Sequence, residues 1–190
     1  GFLEEHTKLV LGPNEEKSIT LVLKVGETPP GMVLVPAGEF VMGENERSPD
    51  ESPKRKIFVP AFYIDKYEVT NEEFKKVFPD HNFAKGQERH PVTGVSWDQA
   101  TSYATRVGKR LPTEVEWEKA ARGEDGREYP WGNEFSSSLC NSKESNLDAP
   151  AIVGSYIGGA SPYGCFDMAG NVYEWVSDWY QRYEGNQSVK

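Results

Sequence analysis

The chain has 190 residues, enough for one sizeable hydrophobic core or for one domain with a short appendage. Its five Trp, nine Tyr and nine Phe exclude a disordered chain, and no stretch approaches the roughly 20 apolar residues of a membrane helix, so no membrane span is expected. The formal net charge of −9 argues against a nucleic-acid partner, because affinity for phosphate backbones comes from clustered Lys and Arg.

Residues 1–30 predict a β-hairpin followed by a linker. Apolar residues stand at every second position of the run 17–25, which is typical of a half-buried strand. A turn signal at 12–14 and a short apolar run at 9–11 precede it. Because a lone hairpin is marginal in water, this segment is either a leader that packs on the main domain or the end of an upstream β domain.

Residues 31–190 predict an α+β domain. We expect short strands at 32–35 and 39–42, a charged surface loop at 44–55 and one strand at 57–67. Three helix starts carry a reciprocal cap, in which Ser or Thr is followed three residues later by Glu or Gln: Thr70 with Glu73, Ser96 with Gln99, and Thr113 with Glu116. Gly108 and Gly123 mark where two of these helices end. Beyond Gly123, Gly, Ser, Asn and Pro indicate much irregular structure.

Most of the recurring strings in this domain have a structural interpretation. Trp117 and Trp175 are predicted core aromatics. Four charged side chains can pair within and between helices: Arg110, Glu116, Glu118 and Arg122.

Taken together, four strings resemble the formylglycine-generating enzyme and sulfatase-modifying factor family: residues 31–43, 62–71, 108–123 and 167–175. The resemblance runs from about Gly31 to Tyr180 in the order of the family's motifs. It implies a variant of the C-type-lectin fold with much irregular structure, often with bound calcium. It also implies that the C-terminal part of the domain at 31–190 is missing from this chain.

Calcium also suits the residues themselves, because it takes six to eight oxygens from carboxylates, amides and backbone carbonyls. Asp167 and Glu174 supply carboxylates seven positions apart, with the carbonyls of Gly170 and Val172 between them. These four residues match one calcium site of the family. The alternative is that Asp167 and Glu174 only satisfy buried backbone amides.

A second calcium site is implied by the resemblance at Asn141, Ser142, Ser145 and Leu147. Ser145 stands where some relatives carry an acidic ligand. We therefore expect one or two calcium ions.

Copper is expected only under a condition. In catalytic members of the family a cysteine pair binds copper, and oxygen converts a substrate cysteine into formylglycine. That pair lies in the family's C-terminal segment, whereas Cys140 and Cys165 stand at other positions and form either a disulfide or two buried thiols. Copper therefore requires a further segment that carries such a pair. Tyr173 also replaces a Trp of the family.

Two functions follow. The first is a calcium-stabilised, non-catalytic domain that binds a protein or glycan partner as a subunit of an extracytoplasmic assembly. The alternative is a copper-dependent formylglycine-generating oxidoreductase whose catalytic cysteines lie beyond this chain.

Overall fold

The structure is a computed structural model that describes residues 28–45, 49–145, 147–181 and 183, together with the backbone of the strands at 2–12 and 15–24. The chain divides into two compact units, Gly1–Pro30 and Gly31–Lys190. No helix among the described residues has the length and apolar character that crossing a membrane requires.

The first unit is a two-stranded antiparallel hairpin. Strand β1 (Phe2–Gly12) pairs with β2 (Glu15–Lys24), in a register that runs from Phe2 opposite Lys24 to Val10 opposite Glu16. The register shifts between Val10 and Gly12, just before the turn. Strand β1 is longer than the predicted apolar run at 9–11, because the antiparallel pairing continues back to Phe2.

The described residues of the second unit form four short strands in two antiparallel pairs. They are β3 (Met32–Val35), β4 (Gly38–Met42), β5 (Arg55–Val59) and β6 (Phe62–Asp65). Strand β3 pairs with β6, and β4 pairs with β5.

The prediction of one strand over residues 57–67 is wrong. The run is divided between β5 and β6 at Pro60, which has no N–H to give to a ladder. The two halves then pair with different strands, so each belongs to a different sheet.

The three predicted helix starts are confirmed. A complete capping box is present at the start of each helix, with Thr70, Ser96 and Thr113 as the N-caps. The helices are α1 (Asn71–Val77), α2 (Trp97–Arg106) and α3 (Glu114–Arg122). Gly108 follows α2 with φ +75° and Gly123 ends α3 with φ +70°, a left-handed conformation that glycine adopts without strain.

The remaining described residues are irregular apart from three single 3₁₀ turns, Pro49–Glu51, Lys143–Ser145 and Ile157–Gly159. The α+β prediction with much irregular structure is therefore confirmed. The irregular part carries the residues that the sequence marks as metal ligands.

The core of the second unit lies between α3 and the strands. One cluster joins Val35, Ala120, Ala121, Cys165 and Met168, and a second joins Phe40, Met42 and Val59. Trp117 packs against the first cluster, as predicted.

Trp175 is not a core aromatic, which corrects the prediction. Its side chain is 48% exposed, although the indole N–H donates to the carbonyl of Val95 at 3.0 Å. It lines an open cavity, so the ring packs on one side only. The predicted charge pairs do form, Arg110 with Glu116 and Arg122 with Glu118.

Candidate functional site

A cavity of about 490 Å³ opens beside β6. All of the consecutive residues 61–65 line it, so the cavity borders an edge of this strand as well as its faces. Among the described residues β6 pairs only with β3, and its other edge is therefore free to face the cavity. The opposite wall comes from α2, through Ala100, Tyr103 and Ala104.

The cavity wall is mainly aromatic and apolar, with charged groups at a few places. Lys109 binds Asp65 at 2.6 Å, and Arg110 binds both carboxylate oxygens of Glu116 at 2.7 and 2.6 Å. Glu68 and Glu174 also line the cavity, and neither has a basic partner among the described residues. The site therefore contains two carboxylates that no cation of the described chain neutralises.

Glu68 is a site residue that the sequence analysis missed. The side chain is only 8% exposed; its Oε2 accepts from Asn171 at 2.7 Å, whereas Oε1 has no hydrogen-bond partner among the described residues. Burial is the main cause that raises the pKa of Glu68 to about 8; the hydrogen bond from Asn171 opposes it, and the negative charges of Glu174 and Asp167 add to it. Glu68 stands between Tyr67 and Val69, and an acidic residue between two hydrophobic ones is the signal that could have indicated it.

The predicted first loop, residues 167–174, brings Asp167 into the same buried region as Glu68, whereas Glu174 is exposed to solvent where it lines the cavity. Asp167 is buried with φ +58°, and its Oδ2 accepts from the backbone N–H of Gly154 at 2.6 Å. Burial raises the pKa of Asp167, and desolvation raises that of Glu174 to about 7, with the charge of Asp167 adding to it. One oxygen of Asp167 thus satisfies a backbone amide, as the alternative interpretation expected.

The donor set of the first loop also fits calcium. The charge of Asp167 raises the pKa of Glu174, so the two carboxylates lie close enough to repel one another, and a divalent cation would relieve that repulsion. No described residue donates to Oδ1 of Asp167. Within the described part of the chain no three His, Cys, Asp or Glu side chains gather in the geometry of a metal cluster. The loop would therefore need backbone carbonyls, which Gly170 and Val172 can offer.

The predicted second loop, residues 141–147, offers weaker donors. The hydroxyl of Ser145 donates to the carbonyl of Cys140 at 2.9 Å and accepts from the N–H of Ser142 at 2.8 Å, so it is already used within a turn. Ser142 accepts from the N–H of Ser145 through its carbonyl. Leu147 is exposed and can contribute a carbonyl only. All of these oxygens are neutral, which predicts a lower calcium affinity than in the first loop.

Asn171, the second residue that the sequence analysis missed, joins the two loops. Its Oδ1 accepts from the side-chain nitrogen of Asn141 at 3.1 Å and from the N–H of Ala151 at 2.8 Å. It adopts φ +57°, a left-handed conformation that Asn tolerates better than most residues. A Gly-Asn pair within a metal-binding string is the sequence signal that could have indicated this role.

Both cysteines are free and buried, so the disulfide alternative is not realised. Desolvation raises the pKa of Cys165 to about 11 and raises that of Cys140 as well. At neutral pH both thiols therefore keep their protons in the folded protein, and a soft metal would have to displace those protons to bind.

This chain is similar to a known protein family and to several known proteins. The family described as the sulfatase-modifying factor enzyme 1-like domain matches residues 20–190. A serine/threonine-protein kinase pkn1 of Chlamydia caviae is 39% identical over 176 residues, which cover 78% of this chain. The chain spans only 28% of the length of that protein.

In two further comparisons the match covers more of the other protein's length. The formylglycine-generating enzyme of Thermomonospora curvata is 31% identical over a 219-residue alignment, which covers 79% of this chain and 72% of the enzyme. The solved structure of PvdO from Pseudomonas aeruginosa superposes with a TM-score of 0.68 at 27% identity, covering 82% of this chain and 73% of that one.

Proposed function

Because this chain belongs to the family of sulfatase-modifying factor enzyme 1-like domains, we propose that it is a calcium-stabilised, non-catalytic binding domain with a variant of the C-type-lectin fold. The observation that carries the proposal is the pair Asp167 and Glu174, whose charges oppose one another and neither of which has a basic partner among the described residues. A divalent cation would offset the electrostatic cost of ionising both carboxyls at neutral pH.

In the first loop, calcium would be held by the carboxylates of Asp167 and Glu174 and the carbonyls of Gly170 and Val172. In the second, it would be held by Asn141, Ser142, Ser145 and Leu147. The ion supplies positive charge and a cross-link between stretches of irregular backbone. The chain's own residues hold the loops in place: Gly154 fixes Asp167, and Ala151 fixes Asn171.

The binding role is proposed for the surface around the cavity. Exposed aromatic side chains stand in the first loop and after it, namely Tyr173, Trp175, Trp179 and Tyr180. Rings of this kind pack on apolar protein segments and on sugar faces, so a protein or glycan partner suits them. An extracytoplasmic location, as a subunit of an assembly, agrees with a second loop of neutral oxygens, since weak calcium sites are typical of extracellular modules.

The test is thermal and chemical unfolding in EGTA and in excess calcium, for the parent protein and for Asp167→Ala. Calcium at 100 times its Kd is expected to stabilise the parent by about 2.7 kcal/mol, because only the folded state holds the site. Asp167→Ala is expected to lose this gain, whereas the exposed control Asp80→Ala keeps it. Equal stabilisation of parent and Asp167→Ala would refute the first-loop site.

The alternative function is a copper-dependent formylglycine-generating oxidoreductase. The similarity to the Thermomonospora curvata enzyme favours it, and it requires a further segment with a copper-binding cysteine pair, because Cys140 and Cys165 stand at other positions than that pair of the family. Oxygen consumption by the full-length natural protein with copper and a Cys-x-Pro-x-Arg peptide distinguishes the two functions. Turnover that depends on the peptide cysteine would replace the binding proposal, and its absence would remove the alternative.

A further inference from the structure

We propose that Asn171 couples the first loop (167–174) to the second loop (141–147), so that the two loops bind calcium cooperatively. The inference rests on the proposed calcium binding. The inference is based on hydrogen bonds by which Asn171, in the first loop, contacts Asn141, in the second loop.

The amide of Asn171 uses both its donor and its acceptor groups. Nδ2 donates to Oε2 of Glu68 at 2.7 Å and more weakly to the carbonyl of Ala151 at 3.4 Å. Oδ1 accepts from the N–H of Ala151 and from Nδ2 of Asn141. One side chain therefore fixes three separate segments at the point where the first loop bends.

These contacts set the orientation of Asn141, the one side-chain amide among the described residues of the second loop. Nδ2 of Asn141 donates to Oδ1 of Asn171 at 3.1 Å and to the carbonyl of Ala149 at 3.0 Å, so both amide hydrogens are used. No described residue donates to Oδ1 of Asn141, which leaves this oxygen for the ion. Without Asn171 the amide is free to turn and present N–H groups to the cation, which would repel it.

The backbones of the two loops also touch. The N–H of Asn171 donates to the carbonyl of Asn141 at 2.8 Å. A Cβ at Gly170 would stand 2.4 Å from the same carbonyl, so only glycine allows this approach. A shift of either loop must therefore move the other.

Cooperativity follows from this connection. An ion in the first loop orders the backbone on both sides of Asn171, which then holds Asn141 in its ligating orientation. The ion in the second loop meets a loop that is already ordered, and it loses less conformational entropy on binding. By linkage, each ion raises the affinity for the other by the same factor.

The experiment is isothermal titration of the complete chain with calcium chloride after removal of metal with EGTA. The parent is expected to bind two ions with a Hill coefficient above one. Asn171→Gly keeps the left-handed backbone and removes every side-chain contact, so both affinities should fall on the order of tenfold or more and the cooperativity should disappear. The matched control Asn82→Gly changes an exposed Asn that contacts only its own loop, and it should bind as the parent does.

A second variant separates positioning from folding. Asn171→Asp keeps an acceptor for Asn141 and Ala151, and it should restore cooperativity whatever its absolute affinities. Unfolding temperatures in EGTA are recorded for all variants, and cooperativity is compared only among those that are folded. If Asn171→Gly does not fold, Asp167→Asn is used instead. This variant loses a ligand of the first loop, so the ion that it still binds is the one in the second loop. If the loops are coupled, that ion must bind more weakly than either ion of the parent.

The outcomes distinguish this inference from the proposed function. A parent that binds no calcium overturns both. A parent that binds one ion, or two independent ions, overturns the coupling alone. Unchanged cooperativity in folded Asn171→Gly also overturns it, as does an unchanged second affinity in Asp167→Asn.

Discussion

Lys119 donates from its ammonium group to the backbone carbonyl of Pro36 at 2.7 Å, although its side chain is fully buried. It also donates to the carbonyl of Gly38 at 2.9 Å. Pro36 directly follows β3 and Gly38 begins β4, so this one side chain ties α3 to strands of both sheets. Desolvation lowers the pKa of Lys119, and the negative charge of Glu124 opposes that effect.

Lys119→Met is expected to lower the free energy of unfolding by about 2–4 kcal/mol, because it leaves two buried carbonyls without a donor. Urea denaturation at neutral pH measures the change. The matched control Lys76→Met removes a lysine on the exposed face of α1 and should change stability by less than about 0.5 kcal/mol. If the free energy of unfolding falls no more than in the control, the carbonyls of Pro36 and Gly38 find other donors.

Thr113→Ala tests the cap of α3. The hydroxyl of Thr113 accepts from the N–H of Glu116 at 3.2 Å, and the Glu116 carboxylate accepts from the N–H of Thr113 at 2.8 Å. Loss of the hydroxyl should cost about 1 kcal/mol in urea denaturation, while Thr93→Ala in an exposed loop should be neutral. If the two variants are equally stable, the capping interaction contributes nothing to this fold.

The helix starts could be predicted from the sequence because a capping box is local. Each N-cap and its partner stand three residues apart, so no distant segment is needed to identify them. The break at Pro60 could also have been predicted, since proline lacks the N–H that a continuous strand requires.

The buried polar residues could not be predicted in the same way. Glu68 and Asn171 meet across 103 positions of the chain, and Lys119 meets Pro36 across 83. Sequence patterns show which residues are polar, but burial depends on the segments that fold over them. Trp175 is the reverse case, since a large aromatic ring predicts burial only if another segment covers it.

The two thiols should be unreactive in the native state. Burial raises the pKa of Cys165 to about 11 and that of Cys140 above its ordinary value, so at pH 8 both are protonated and inaccessible. Ellman's reagent should therefore titrate no thiol in the folded protein and two in denaturant without reduction. Ser137→Cys, at an exposed position, should react at once and shows that the reagent is active. Zero thiols in denaturant would instead require a disulfide.

Calcium-free protein is expected to lose stability as the pH rises from about 5 to 8. The folded state holds the protons of Glu68 and Glu174 up to pKa values of about 8 and 7, whereas the unfolded chain releases them near 4.5. The stabilisation from these raised pKa values is complete below the unfolded value and disappears as the pH passes the folded one. Most of the change comes from Glu68, which is only 8% exposed, and it should reach a few kcal/mol, whereas solvent screening reduces the contribution of the more exposed Glu174.

Calcium should reverse this dependence, because the ion favours the ionised carboxylates and its binding releases protons. Urea denaturation at pH 5.5 and pH 8, with EGTA or with excess calcium, measures both effects. Glu68→Gln should flatten the pH dependence of the calcium-free protein, because Gln keeps an acceptor for Asn171 but does not titrate. The control Glu72→Gln, on the exposed face of α1, should follow the parent. Carboxyls with lowered pKa values, such as Glu116 and Asp125, titrate below this window and leave its slope unchanged. A calcium-free protein equally stable at both pH values would mean that the carboxylates near the cavity are neutralised by groups of the protein itself.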